Sequence, residues 1–191
     1  MHIVRSFGTL VVALALAGCG DREPTLAPQD GGEPLFRGNH GSRKVVAAIS
    51  GSAHHTRTVG EVTALTLFRF HAKSRADGTT KGRYFYNFQA AGFSVEGPVT
   101  CISLAGNQAW IGGTVARIDS PDPADQELVG VDMWWRMIDN GHGRHAPPDS
   151  TTGVGFAFPG STITAESWCQ DQPAVLILRE VEEGNLKIKG D

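Results

Sequence analysis

A chain of 191 residues, 40% hydrophobic and 19% charged, is long enough for one domain and short for two. Its formal charge of -3, from 17 basic and 20 acidic residues spread along the chain, leaves no basic stripe for a phosphate backbone to follow, so no nucleic acid partner is expected. With 24 glycines and a low charge content, the composition points to short strands joined by tight turns, and away from helices or a disordered tail.

The chain opens with one basic residue, Arg5, followed by the apolar run Gly8-Thr9-Leu10-Val11-Val12-Ala13-Leu14-Ala15, too short to span a bilayer. This is the pattern of a signal peptide over residues 1–18. It ends in Leu16-Ala17-Gly18-Cys19, which resembles the lipobox of bacterial lipoproteins. The resemblance implies that Cys19 is diacylated, carries palmitate-type chains and becomes the mature N-terminus. Two acyl chains hold a protein on a membrane where one binds only reversibly, so the expected partner is a membrane reached through the lipid anchor. Cleavage removes Arg5 and no acidic residue, leaving the mature chain more negative than the -3 of the whole. Gly20 after the cysteine, where aspartate would retain a lipoprotein at the inner membrane, implies an outer-membrane address in a host with two membranes. Residues 19–43, rich in proline and glycine with almost no apolar periodicity, read as the lipidated cysteine and a flexible tether. The expected location is therefore extracytoplasmic and lipid-anchored.

Cys101 and Cys169 then remain as an even pair in an exported, oxidising setting, and a disulfide between them is expected. Closing so long a loop is worth about 4 kcal/mol in the chain-entropy description.

The body, residues 44–191, reads as a succession of short strands. Residues 44–50 form an apolar run closed by Gly51. Residues 62–73 and 83–89 flank a turn containing Asp77-Gly78, with Phe68, Phe70, Tyr84, Tyr86 and Phe88 on an inward face and Arg69, His71 and Lys73 on a wet one. A second pair, 98–104 and 108–118, surrounds Ala105-Gly106-Asn107. There Gly112-Gly113 suggests a bulge, a bend, or backbone pressed against a bulky neighbour such as Trp110 or Trp135. Strands are further expected over 129–139, 154–158, 174–180 and 185–189, with polar loops at 120–125 and 140–150. Eight or nine short, half-apolar segments predict an all-β domain, a single antiparallel β-barrel or β-sandwich.

Signatures of catalysis are missing: no Gly-x-Ser-x-Gly elbow, phosphate loop, dinucleotide-binding fingerprint or His-Glu-x-x-His helix occurs. Chemistry concentrates instead in the loop Asp139-Asn140-Gly141-His142-Gly143-Arg144-His145-Ala146-Pro147-Pro148-Asp149. His142 and His145 with the carboxylates offer a zinc ligand set, and Asp139, Asn140, Asp149 and loop carbonyls offer calcium ligands. A turn organised by Asx-type hydrogen bonds, with its histidines in solvent, accounts for the same residues. No other cofactor is expected. The adjacent His54 and His55 point to opposite faces of a strand and read as a surface feature, and His71 as a solvated one. Trp110, Trp134, Trp135 and Trp168 with Phe68, Phe70, Tyr84 and Tyr86 fill a core or line a ligand cavity.

The order Ala76-Asp77-Gly78, Val99-Thr100-Cys101, Gly106-Asn107 with Ala109-Trp110-Ile111-Gly112-Gly113, then Asp139-Asn140-Gly141 with Pro147-Pro148-Asp149 and Cys169, resembles a group of uncharacterised exported bacterial β-domains. The resemblance spans nearly all of the body and implies the β fold and the disulfide, with no activity to transfer. That group carries glutamate where His142 stands, which favours calcium or a purely structural turn over zinc.

Together these features lead to a monomeric, lipid-anchored extracytoplasmic β-domain with a non-catalytic structural or binding role in the cell envelope. Its protein or small-ligand partner is not specified by the sequence. Two rivals are a barrel binding a small apolar ligand, and a metal-dependent enzyme using His142, His145, Asp139 and Asp149.

Overall fold

The computed structural model describes residues 44–191 except 60, 144, 175 and 176. The signal peptide expected at 1–18, the lipidation expected at Cys19 and the tether expected at 19–43 lie outside the described residues, as do two positions of the strand expected over 174–180. In chain order the elements are β1 (Val45–Val59), β2 (Val62–Arg75), β3 (Thr80–Phe88), β4 (Phe93–Ala105), β5 (Gln108–Thr114), β6 (Arg117–Asp119) and β7 (Asp132–Ile138). There follow β8 (Ser150–Thr152), β9 (Gly155–Phe156), α1 (Ala165–Asp171), β10 (Leu178–Glu180) and β11 (Glu183–Gly190).

The strands form one curled antiparallel sheet, a half-barrel, in the order β10-β8-β7-β5-β4-β3-β2-β1-β11, with β6 against β4 and β9 against β7. The two ends of this path, β10 and β11, are separated in the chain only by Val181 and Glu182, so one C-terminal segment pairs first with β8 and then with β1. The all-β antiparallel reading holds. The described residues carry eleven strands where eight or nine were expected, because the segment expected over 108–118 divides into β5 and β6, and β8 is three residues long and too short to show a period.

The β2–β3 hairpin forms as its sequence predicts. Asp77 Oδ1 accepts the Thr79 amide at 2.9 Å and the Thr79 hydroxyl at 2.6 Å, and Gly78 takes the left-handed conformation that the turn needs. The pairing Phe70↔Tyr84 and Phe68↔Tyr86 stacks the aromatic faces inward, and all four side chains are buried. With Ile49, Val95, Ile111, Met133, Trp135, Met137 and Leu186 they make the main core. The void among Phe68, Tyr84, Tyr86, Met133 and Trp135 is only about 10 Å³, at the threshold for a single water.

Three expectations need correction. Strand β1 does not end at Gly51 but runs through it: a Cβ there would lie 2.7 Å from the Phe70 ring, so glycine serves a close approach in mid-strand. Gly112 and Gly113 are also close approaches, but to other neighbours than Trp110 or Trp135. A Cβ on Gly112 would meet Cys101 Sγ at 2.6 Å and Ala165 Cβ at 2.7 Å, and one on Gly113 would meet Pro98 O at 2.6 Å. The irregularity lies on the partner strand, where the register slips between Val99 and Cys101. Third, residues 165–171 form a helix where none was expected. Thr164 caps it, its side chain accepting from Ser167 N while Ser167 Oγ accepts from Thr164 N.

Helix α1 covers the outer face of β5 and β7, which explains why these strands are buried on both faces. Trp110, Trp134 and Trp168 make a second cluster beneath it, apart from the main core. Trp168 Nε1 donates to Trp135 O at 3.0 Å, Trp110 Nε1 donates to Pro173 O at 2.8 Å, and the disulfide Cys101–Cys169 ties the helix to β4. The tryptophans thus divide between two packed layers and do not line one cavity.

Candidate functional site

The 139–149 loop is built from side chains that bond the chain itself. Asp139 Oδ1 accepts the Gly141 amide at 2.8 Å, and Asp139 Oδ2 accepts the Ile188 amide at 2.9 Å. Asp149 repeats the arrangement: Oδ1 accepts Asn140 N at 2.8 Å and Oδ2 accepts Leu186 N at 2.9 Å. Asn140 Nδ2 donates to Pro148 O at 2.6 Å, and Asn107 Nδ2 donates to Asp139 O at 3.0 Å and to Asn140 Oδ1 at 3.2 Å. Gly141, at φ +81, supplies the left-handed residue of the Asx turn. Every carboxylate oxygen of the loop is therefore engaged by a backbone amide. His142 and His145 stand exposed, and among the described residues no three His, Cys, Asp or Glu side chains come together in a metal-holding arrangement. The structure brings Asp139, Asn140 and Asp149 together, as a strap onto β11, and leaves the two histidines outside it.

A different constellation appears at the end of the curled sheet that carries the last residues of β1. Because β1 continues past Gly51, its inward alternation runs Ala47, Ile49, Gly51, Ala53, His55, Arg57, and His55 is buried at 1% exposure. The surface reading of His55 was wrong for this reason; His54 alone turns outward, 3.5 Å from Glu183. The cross-strand partner of His55 is Thr66, at 0% exposure, and the partner of Thr66 is Phe88. Arg57 Nη1 donates to Tyr86 Oη at 3.2 Å, its guanidinium lies 5.7 Å from the Phe88 ring centroid, and Gly153 sits against it. Arg179, opposite Thr151, shares the face of Val181, a core residue, while Leu178 and Glu180 are exposed.

His55 Nδ1 donates to Thr56 O at 3.3 Å, which leaves Nε2 as the acceptor. Burial holds the imidazole below its usual value, and Arg179 and Arg57 lower it further, against the opposing pull of the Thr56 carbonyl and Glu182. The acid nearby, Glu182, is committed elsewhere: its two carboxylate oxygens accept Thr56 N at 2.7 Å and Thr56 Oγ1 at 2.9 Å. Four buried polar atoms have no hydrogen-bond partner among the described residues: Asn87 Oδ1 on β3, and three around this cluster, His55 Nε2, Thr66 Oγ1 and Arg179 Nε. The signal that would have found His55 and Arg57 is the period of two carried through Gly51.

Comparison with family models, with curated proteins and with solved structures finds no match to this chain.

Proposed function

We propose that this protein is a lipid-anchored extracytoplasmic β-domain with a non-catalytic structural or binding role in a bacterial envelope, held at the membrane through Cys19. The observation that carries the reading is the Cys101–Cys169 disulfide. It suits an oxidising compartment, and it accounts for both cysteines after the lipobox, leaving Cys19 as the one thiol for acylation. The aromatic interior, with a void of about 10 Å³, supports a role exercised at the surface over one that encloses an apolar molecule. Gly20 supports sorting to an outer membrane where the host has one.

The test is expression of the whole chain in a bacterium fed a palmitate analogue, followed by detergent-phase partition. Label in the protein and partition into the detergent phase are expected for the natural sequence, and both should vanish in Cys19→Ala. Label or detergent partition that survives Cys19→Ala overturns the anchor.

A further inference from the structure

We propose that the polar cluster of His55, Arg57, Thr66 and Arg179 binds a small oxyanion, a phosphate or a carboxylate, through its two guanidinium groups. This inference goes beyond the membrane anchor and does not depend on it, since it rests on the folded body alone.

Two guanidiniums occupy the inward face at one end of the sheet, and among the described residues neither forms an ion pair; the pairs that do form join Lys44 to Asp191, His54 to Glu183 and Arg117 to Glu96. A half-buried cation without a counter-charge is costly unless it is solvated or meets an anion. Glu182, the acid in the neighbourhood, is exposed and holds the Thr56 amide and hydroxyl. Neither guanidinium is thus bonded to a carboxylate among the described residues.

The hydrogen-bond inventory gives the chemistry of the ligand. Arg179 Nε is a donor with no acceptor, Thr66 Oγ1 is a hydroxyl with no partner, and His55 Nε2 is a lone pair with no donor. Buried groups of this kind are rare in folded proteins, and three at one site mark a place where something else completes the set. An oxyanion accepts from guanidinium donors through several oxygens at once, in the planar geometry that arginine favours. A hydroxyl on the same ligand, as in hydrogen phosphate or a 2-hydroxycarboxylate, gives His55 Nε2 its missing donor. Arg57 is already steered to this position by Tyr86 and Phe88, so little is left to order on binding.

Isothermal titration of the full chain, solubilised in detergent and held at constant ionic strength in chloride, tests the site with two probes, inorganic phosphate and glycolate. Saturable binding of one or both is expected, and the stronger of the two identifies the class of anion. Arg179→Gln should weaken it by about tenfold or more, the loss of one charge-assisted hydrogen bond. Arg57→Gln should do the same; should that variant fail to fold for want of the Tyr86 bond, Arg179→Gln carries the test, because Arg179 Nε has no partner to lose. Arg69→Gln makes the same charge change on the outer face and should leave binding unaltered. Absence of saturable binding by both probes, a loss smaller than tenfold in Arg179→Gln, or an equal loss in Arg69→Gln overturns the proposal.

Discussion

Asp149 and Leu186 stand 37 residues apart in the chain and meet where Oδ2 of the carboxylate accepts the Leu186 amide at 2.9 Å. Asp139 does the same for Ile188. Strand β11 pairs with β1 through its backbone, and its amides at 186 and 188 find side-chain carboxylates in place of another strand. Two aspartates thus occupy an edge that would otherwise present unpaired donors to another chain.

Asp149→Ala should therefore destabilise the domain by about 2–3 kcal/mol, since it strips the acceptor from two backbone amides at once. Asp149→Asn keeps one carbonyl-type oxygen and should lose roughly half as much. His142→Ala, at an exposed position with no bond into the strap, should change little. Urea midpoints of the three variants check the order.

Removing the disulfide by the pair Cys101→Ser and Cys169→Ser should cost about 4 kcal/mol, as expected for a cross-link between residues separated by 68 positions. The loss should show as a lower melting temperature in calorimetry, and reduction of the natural protein should reproduce it. Equal stability of the oxidised and reduced forms would contradict the contribution assigned to this bond.

For His55 the sign of the pH dependence follows from its lowered value. The folded state binds its proton more weakly than the unfolded chain, which titrates at the ordinary 6.5, so protonation favours unfolding. Its contribution to stability is present in full above about pH 6.5 and is lost as the pH falls through that value toward the depressed folded one. Thermal unfolding between about pH 5 and 8 should show this decline in the natural protein and a shallower one in His55→Phe.

Gly112→Ala places a methyl group 2.6 Å from Cys101 Sγ and 2.7 Å from Ala165 O. Overpacking at this junction of β4, β5 and α1 should cost about 1–3 kcal/mol or more. Gly106→Ala offers the contrast: nothing lies within 4 Å, but its φ of +59 makes the substitution strained, at about 1 kcal/mol. Denaturant titration of both variants separates crowding from backbone strain.

The parts of the fold legible in the sequence were those with a strong local signal. Asp77-Gly78 set a hairpin whose register follows from alternating Phe68, Phe70, Tyr84 and Tyr86, and the two body cysteines announced their pairing. What escaped reading depends on neighbours remote in the chain. Gly51 looked like a strand end because the Phe70 ring that requires it comes from β2, and ending the strand there hid the inward turn of His55 and Arg57. Helix α1 is seven residues long, with serine at the third position where a capping box usually shows glutamate or glutamine, so neither its period nor its cap stood out. The 139–149 loop was seen as chemically rich. That its carboxylates point at β11 depended on a strand some forty residues later.

The pairing of β1 with β11 also dictates an order of assembly. A chain made from its N-terminus exposes one edge of β1 from the moment β1 and β2 pair, and that edge stays open until residues 183–190 arrive at the far end of the sequence. Contacts so distant in sequence slow folding, because loop closure must precede the reward. The sheet thus waits for its last strand, and a nascent chain stalled before residue 183 would carry an unsatisfied template for β-pairing, open to whatever strand meets it first.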